Sequence, residues 1–279
     1  MTGIGDGVLP NYVVIGAAKS GTTSLAYYLA AHPEVFMAPF KEVRFFDRED
    51  HWQHGVGWYR SHFVGAEGKL AIGEATPAYL AVPQAVERMA SVIPSARLIA
   101  VLRNPVDHAY SHYWHARLWD SEARSFAEVV DAGEGAGDPA AAYLADGRYV
   151  EQLRRVRAHY PAESLLVLLL EDLAEQPAAT FSRVCSFLGV DPTIRPANLG
   201  RVYNPSHRRR RWLNDFMQRH RLWRRLPVGL ARRIGEFNQV PVTPPPMEPA
   251  LRRELLASYA EDNRALSSWL GVDLSRWSV

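Results

Sequence analysis

The stretch Tyr12–Leu29, YVVIGAAKSGTTSLAYYL, restricts the fold more than any other part of the chain. Its apolar run, Tyr12 to Ile15, predicts a buried strand. A loop of small residues follows, and helix signals begin near Thr22. A strand–loop–helix of this kind aims backbone N–H groups and the positive end of a helix dipole at one point, where a phosphate would sit. The spacing Gly16-x-x-x-x-Gly21 matches the start of a Walker A loop, and the match then fails. Thr22 and Thr23 stand where that motif needs Lys and Ser/Thr, and the lysine, Lys19, lies inside the loop. Lys19, Gly21, Thr22 and Thr23 therefore supply a fixed cation, backbone donors and two hydroxyls to an anion other than the metal-bound end of ATP. The competing reading is a glycine turn with a solvated lysine. The strand before and the helix after favour the anion site.

Four segments read as strands: Tyr12–Gly16, Leu70–Gly73, Arg97–Leu102 and Leu165–Leu170. The first, third and fourth are continuous apolar runs, as in strands buried on both faces of a parallel sheet. Helical patterns separate them at Thr22–Ala31, Gln84–Ile93, Pro105–Trp119 and near Tyr149–His159. The alternation argues for an α/β layered fold with right-handed crossovers. GEGAGDP at 133–139 reads as a flexible loop. The prolines of PVTPPPMEP (241–249) exclude helix and make a stiff connector. Beyond it Leu251, Leu255, Tyr259, Asp262, Leu266 and Trp269 recur at helical spacing, predicting a docked C-terminal helix. Residues 1–10 are expected to be flexible, 11–240 to form one α/β domain, and 241–279 to be a connector and helix docked on it.

At 279 residues, 47% of them hydrophobic, the chain can bury one sizeable core. A net charge of +2 does not by itself imply a polyanionic partner. The single cysteine, Cys185, excludes an internal disulfide and a cysteine-based zinc site, and its helical spacing with Phe181, Val184 and Leu188 predicts a buried thiol. The N-terminal residues lack a signal-peptide pattern, and the longest apolar run, LLVLLL at 165–170, is too short to span a bilayer. The chain reads as soluble and cytoplasmic.

Two further features bear chemistry. In RLIAVLRNPVDHAYS (97–111) a buried strand ends at Arg103, and Asn104-Pro105 caps and opens a helix. Arg103 emerges where open parallel sheets bind ligands, and its planar fork suits a second phosphate. Ser111, two turns on, adds a hydroxyl. A structural salt bridge and a surface serine are the alternative, and nothing local decides between them. In FKEVRFFD (40–47), Glu42 is a candidate general base if Phe40, Phe45 and Phe46 bury it partly. A solvated Lys–Glu pair is the default reading of that dipeptide.

KSGTTSL, KEVRFFD, GEATPAYL (73–80), VLRNPVDHAYSHYWH (101–115) and LLLEDLAEQPAATFSRVCSFLGV (168–190) occur in this order. Together they closely resemble the sulfotransferases that use 3′-phosphoadenosine 5′-phosphosulfate (PAPS), in the branch of the heparan sulfate N- and O-sulfotransferases and their bacterial relatives. The resemblance covers roughly residues 10 to 210. It implies a single α/β domain related to P-loop kinases, with a central parallel sheet flanked by helices. By resemblance, Lys19, Ser20, Gly21, Thr22 and Thr23 hold the 5′ end of the cofactor, while Arg103 and Ser111 hold its 3′-phosphate. Glu42 matches the general base of the glycan branch. His115 lies where the N-sulfotransferases place a histidine near the reacting centre. The late lid of the family is replaced by NPSHRRRRW, so Tyr203, His207, Arg208 and Arg209 become candidates for the 3′-phosphate. The product would be 3′-phosphoadenosine 5′-phosphate (PAP). A sulfuryl group carries less charge than a phosphoryl group, so no metal is implied.

The departures fall on the acceptor side. Ala75 precedes Thr76-Pro77 where O-sulfotransferases often carry lysine, and Arg44 replaces a histidine. They weigh against a polysaccharide and leave small-molecule, glycolipid and carbohydrate acceptors open, with a hydroxyl preferred to an amine. Trp52, Trp58, Tyr59, Trp114 and Trp119 form either a stacking wall for that acceptor or core. Two rival functions remain. A P-loop kinase would use LLLED as its Walker B strand, but Thr22 in the lysine position speaks against it. A nucleic-acid-binding module would use Arg208–Arg211, Arg219, Arg221, Arg224, Arg225, Arg232 and Arg233, with Trp212 and Trp223 for stacking. A solvated face is the commoner meaning of such a run, and no nucleic-acid partner is expected.

Overall fold

Residue periodicity decides which faces the central strands bury. In β1 (Tyr12–Gly16) every residue is buried: Val13 and Ile15 enter one hydrophobic cluster, while Tyr12 and Val14 enter another across the sheet. The computed structural model describes residues 7–39, 41–119, 121–135, 138–203, 207–209 and 239–278. After β1 come α1 (Thr22–Ala30), β2 (Val35–Met37), α2 (Glu49–Trp52), α3 (Gly55–Ser61), β3 (Ala71–Ala75) and α4 (Pro83–Val92). β4 (Arg97–Leu102), α5 (Pro105–Leu118), α6 (Phe126–Ala132), α7 (Ala141–Ala145), α8 (Tyr149–His159) and β5 (Leu165–Leu169) follow. The remainder comprises α9 (Leu170–Glu175), α10 (Pro177–Leu188), the short strands β6 (His207–Arg209) and β7 (Gln239–Pro241), and α11 (Pro249–Leu270).

The main sheet runs β2-β3-β1-β4-β5, parallel throughout. It is the expected α/β fold, with β1 and β4 at its centre and α1 and α10 covering one face. β5, the third continuous apolar run, lies at the sheet edge and is half-buried over Leu165–Val167 rather than covered on both faces. On the other face α4 and α8 pack with Phe45, Phe46, Tyr59 and Trp277. A third cluster joins α5, α6, α7 and α11 through residues such as Tyr113, Phe126 and Tyr259. Cys185 is fully buried in α10, and that burial pushes its thiol up to about 11.

The differences from the sequence reading are local. β2 was not expected, because VFM is too short to show periodicity. β3 begins at Ala71 rather than Leu70 and runs past Gly73 to Ala75, since Glu74 is tolerated inside it by three hydroxyl partners. Leu170 opens α9 instead of closing β5. The last proline of the connector, Pro249, occupies the first turn of α11, where its missing N–H costs nothing. α11 packs against α8 and α5. Leu255, Tyr259 and Leu266 are buried, the Tyr259 hydroxyl donates to Leu144 O at 2.8 Å, and Asp262 pairs with Arg148. The Trp52–Trp58–Tyr59 group packs on Phe45 and Phe46, so these rings are core rather than an acceptor wall. Among the described residues no helix is long and apolar enough to cross a membrane.

Candidate active site

The chain leaves β1 toward β2 and β3 on one side and returns to β4 on the other, so strand order reverses between β1 and β4. In an open parallel sheet a ligand crevice forms beyond the carboxyl ends of the strands at such a point. Lys19 and Arg103 emerge there. Ala17 N donates to Val101 O at 2.8 Å, which ties the loop after β1 to the end of β4. The backbone then turns sharply: Lys19 has φ 60° and Gly21 φ 81°. Gly21 suits this left-handed turn, and a Cβ there would also lie 2.6 Å from Leu170 Cδ1, the movable end of that side chain. α1 starts at Thr22 without a side-chain cap and without an acidic residue in its first turn. Its leading amides thus keep their positive end open to an anion.

Cations gather around these amides. Arg103 Nη1 donates to Lys19 O at 3.4 Å, and Lys41 Nζ donates to Thr23 Oγ1 at 3.0 Å. Burial lowers the Lys19 pKa, repulsion from Lys41 and Arg103 lowers it further, and Glu42 opposes them. Ser20 in the loop and Thr22 at the start of α1 are buried, with Ser20 Oγ donating to Ala18 O at 3.3 Å. Beneath lie His108, His112, Asp146 and Tyr149, none of them singled out by the sequence. Burial pushes His108 down to about 3, aided by His112 and Arg103. Burial and then Lys19 push His112 down to about 4. Asp146, whose carboxyl lies 3.7 Å from His112 Nδ1, is pushed up by burial to about 6. Both imidazoles are therefore neutral near pH 7, and the positive charge of the site resides in Lys19, Lys41 and Arg103.

Glu42 sits at the edge of this group, paired with Lys41 at 3.5 Å and with its side chain 35% exposed. Phe45 and Phe46 are themselves fully buried. Phe40 lies outside the described residues. The enclosed carboxyl is Glu74, pushed up to about 7 by burial against the opposing pull of its hydroxyl donors. Thr76 Oγ1 donates to it at 2.6 Å, Tyr79 at 2.8 Å and Tyr59 at 3.2 Å. The same Thr76 and Tyr79 oxygens accept from Arg44 N (3.2 Å) and Phe45 N (3.0 Å). Glu74 thus fixes two hydroxyls that fix the backbone just after Glu42. One charged residue in an otherwise apolar strand is the sequence signal that would have found it.

The remaining candidates are more dispersed. Ser111 is half-buried on α5, one turn beyond His108 on the same face. His115 is exposed, with its ring tilted against Trp119 at 5.6 Å, and lies about 16 Å along the helix axis from Asn104. Tyr203 lies on α1: its N–H donates to Ser24 Oγ at 3.0 Å and its ring stacks on Tyr27 at 4.3 Å. The backbone of His207, Arg208 and Arg209 pairs with β7 and runs beside α5. The basic positions from Arg210 to Arg233, with Trp212 and Trp223, lie outside the described residues. The LLLED carboxylates serve packing. Glu171 accepts from Asn104 N (3.2 Å) and Trp277 Nε1 (3.1 Å), and Asp172 pairs with Arg276 at 2.6 Å. A cavity of about 890 Å³ runs along the outer edge of β5, between Arg157, Arg183 and Trp269, and shares no lining residue with the loop.

The chain matches the sulfotransferase domain family over residues 9–207. It is 33% identical over 198 residues to the Homo sapiens bifunctional heparan sulfate N-deacetylase/N-sulfotransferase 3, covering 66% of this chain and 23% of that protein. It is 40% identical over 114 residues to the membrane-associated sulfotransferase kil1 of Dictyostelium discoideum, covering 40% of this chain and 24% of that one. The chain thus spans about a quarter of the length of these curated relatives. A sulfotransferase from Alicyclobacillus acidocaldarius superposes with a TM-score of 0.73 at 30% identity, covering 98% of this chain and 100% of that one. The sulfotransferase domain from the curacin biosynthetic pathway, at 14% identity and a TM-score of 0.52 over 95% of this chain and 99% of its own, shares the fold. The match runs through the loop after β1, the segment that carries Glu42 and the arginine at the end of β4, and the chain belongs to the PAPS-dependent sulfotransferases.

Proposed function

We propose that this chain transfers a sulfuryl group from PAPS to a hydroxyl of a small-molecule, glycolipid or carbohydrate acceptor, by in-line displacement. The observation that carries the reading is the convergence of Lys19, Lys41 and Arg103 on an uncapped helix terminus, with Glu42 at its rim. Lys19 and the amides of Ser20, Gly21, Thr22 and Thr23 suit the 5′ end, and Arg103 with Ser111 suits the 3′-phosphate. Tyr203 and the His207–Arg209 strand beside α5 are assigned to closing over that phosphate. Bound PAPS would supply the activated sulfuryl group. Glu42 would take the acceptor proton as the new O–S bond forms. Lys19 and the loop amides would hold the charge growing on the departing phosphate oxygen, the preorganised electrostatics that dominates such transfers. His115, well along α5, is assigned to the outer part of the acceptor. The heparan sulfate named for the human relative supports a carbohydrate. Ala75 and Arg44, uncharged and acid-paired respectively, favour a smaller one.

The test is a Glu42→Gln variant assayed with radiolabelled PAPS against probe acceptors: desulfated heparin, a glycolipid mixture and simple phenols. A positioned base contributes about 10²–10⁴-fold, so turnover on any probe the wild type accepts is expected to fall by that order. PAP affinity should stay within about threefold, because Glu42 accepts protons rather than binding anions. Unchanged turnover would remove Glu42 from the mechanism.

A further inference from the structure

Lys41 has a partner besides its neighbour Glu42. Its side chain is 26% exposed, and its ammonium touches two groups at once, Thr23 Oγ1 at 3.0 Å and Glu42 Oε1 at 3.5 Å. Thr23 stands in the first turn of α1, at the amides assigned to the leaving phosphate, whereas Glu42 is the base assigned to the acceptor. In an in-line displacement the transferred sulfur lies between the leaving and attacking oxygens. An ammonium that bridges Thr23 and Glu42 therefore occupies the interval that belongs to the sulfonate. Ala75, at the end of β3, brings no charge to this side. Burial lowers the Lys41 pKa, and Glu42 and Glu74 pull it back up. Two partly desolvated lysines and an arginine outnumber the Glu42 and Glu74 carboxyls that act on them and leave an excess of positive charge. An anion charged at two neighbouring centres fits that excess better than a lone phosphate.

We propose that Lys41 is the sulfonate-reading residue of this site, a specificity determinant that makes the protein hold PAPS more tightly than PAP. The inference rests on the function proposed above. In the described state the ammonium bridges Thr23 and Glu42. With PAPS bound, Lys41 donates to a sulfonate oxygen and leaves Glu42 free to accept a proton. The acceptor oxygen then bonds to sulfur, its proton passes to Glu42, and the sulfur–phosphate oxygen bond breaks with its electron pair leaving on PAP. Once the sulfonate has gone, Glu42 gives its proton to water, Lys41 returns to the carboxylate and PAP is released.

The experiment is calorimetric titration of the full chain with PAPS and, separately, with PAP, in EDTA and without acceptor, for wild type, Lys41→Met and Lys41→Arg. Lys41→Met is expected to weaken PAPS about 10- to 100-fold, the size of one charge-assisted hydrogen bond, and PAP by less than about threefold. Lys41→Arg should keep most of the preference for PAPS. Equal losses for both ligands, or no loss for either, would overturn the assignment, since a structural or general electrostatic role does not distinguish them. If the wild type binds neither ligand, the cofactor reading itself falls and the role of Lys41 with it. Retention of the wild-type preference in Lys41→Met would overturn only Lys41.

Discussion

Glu74 is the one charged side chain in β3, and it is completely buried. Its pKa is raised from 4.5 to about 7, so between those values the folded chain keeps a proton that the unfolded chain has lost. Stability from this group is therefore present below about pH 4.5 and falls as pH rises to about 7, by on the order of 3 kcal/mol. His108 and His112 act with the opposite sign. Their lowered pKa values make the unfolded chain take up protons below about pH 6.5 and weaken the fold in acid. The difference between wild type and Glu74→Gln isolates the carboxyl. Urea unfolding at about pH 5 and about pH 8 should show the wild type losing more stability than the variant over that interval. Parallel pH dependence of the two would show that Glu74 does not titrate there. Lys19 and Arg103 were legible in the sequence because each follows a buried strand. Glu74 carried a signal, the one charge in an apolar strand, that the reading passed over, whereas the contact of Lys41 with Thr23, 18 residues away, left no trace in the local pattern.

At the scale of elements, the strand–loop–helix that opens the chain carries both the fold and the anion site. Its reading survives almost residue for residue, since five buried apolar positions followed by small residues leave few alternatives. Short pieces escaped: β2 has three residues, and α2 has four without a buried side chain. The loop's geometry turns on Gly21. Gly21→Ala would force a Cβ against Leu170 and hold a non-glycine residue at φ 81°. The expected cost is about 1–2 kcal/mol, measured by denaturant unfolding, together with a weaker titration by PAP. Unchanged stability and binding would mean that the loop adapts freely and that its conformation does not set the amide positions.

Across the whole molecule, the far end of the chain returns to brace the start of α5. Asn104, whose side chain caps that helix, donates through Nδ2 to Trp277 O at 3.2 Å, and Trp277 reaches Glu171. Arg276 pairs with Asp172 beside it. The carboxylates that a kinase would present to magnesium are thus committed to holding the strand end from which Arg103 projects. Segments up to 173 residues apart converge on that corner, so neither the local pattern nor the ordered motifs revealed it. The central claim is that this corner and the loop beside it bind a phosphoadenosine phosphosulfate-type ligand. Its most direct test is calorimetry of PAP binding in EDTA, beside ATP with magnesium, for wild type and Arg103→Ala. Micromolar PAP binding by the wild type, lost in Arg103→Ala and not matched by ATP, is the predicted result. Binding of ATP with magnesium and not of PAP would contradict it.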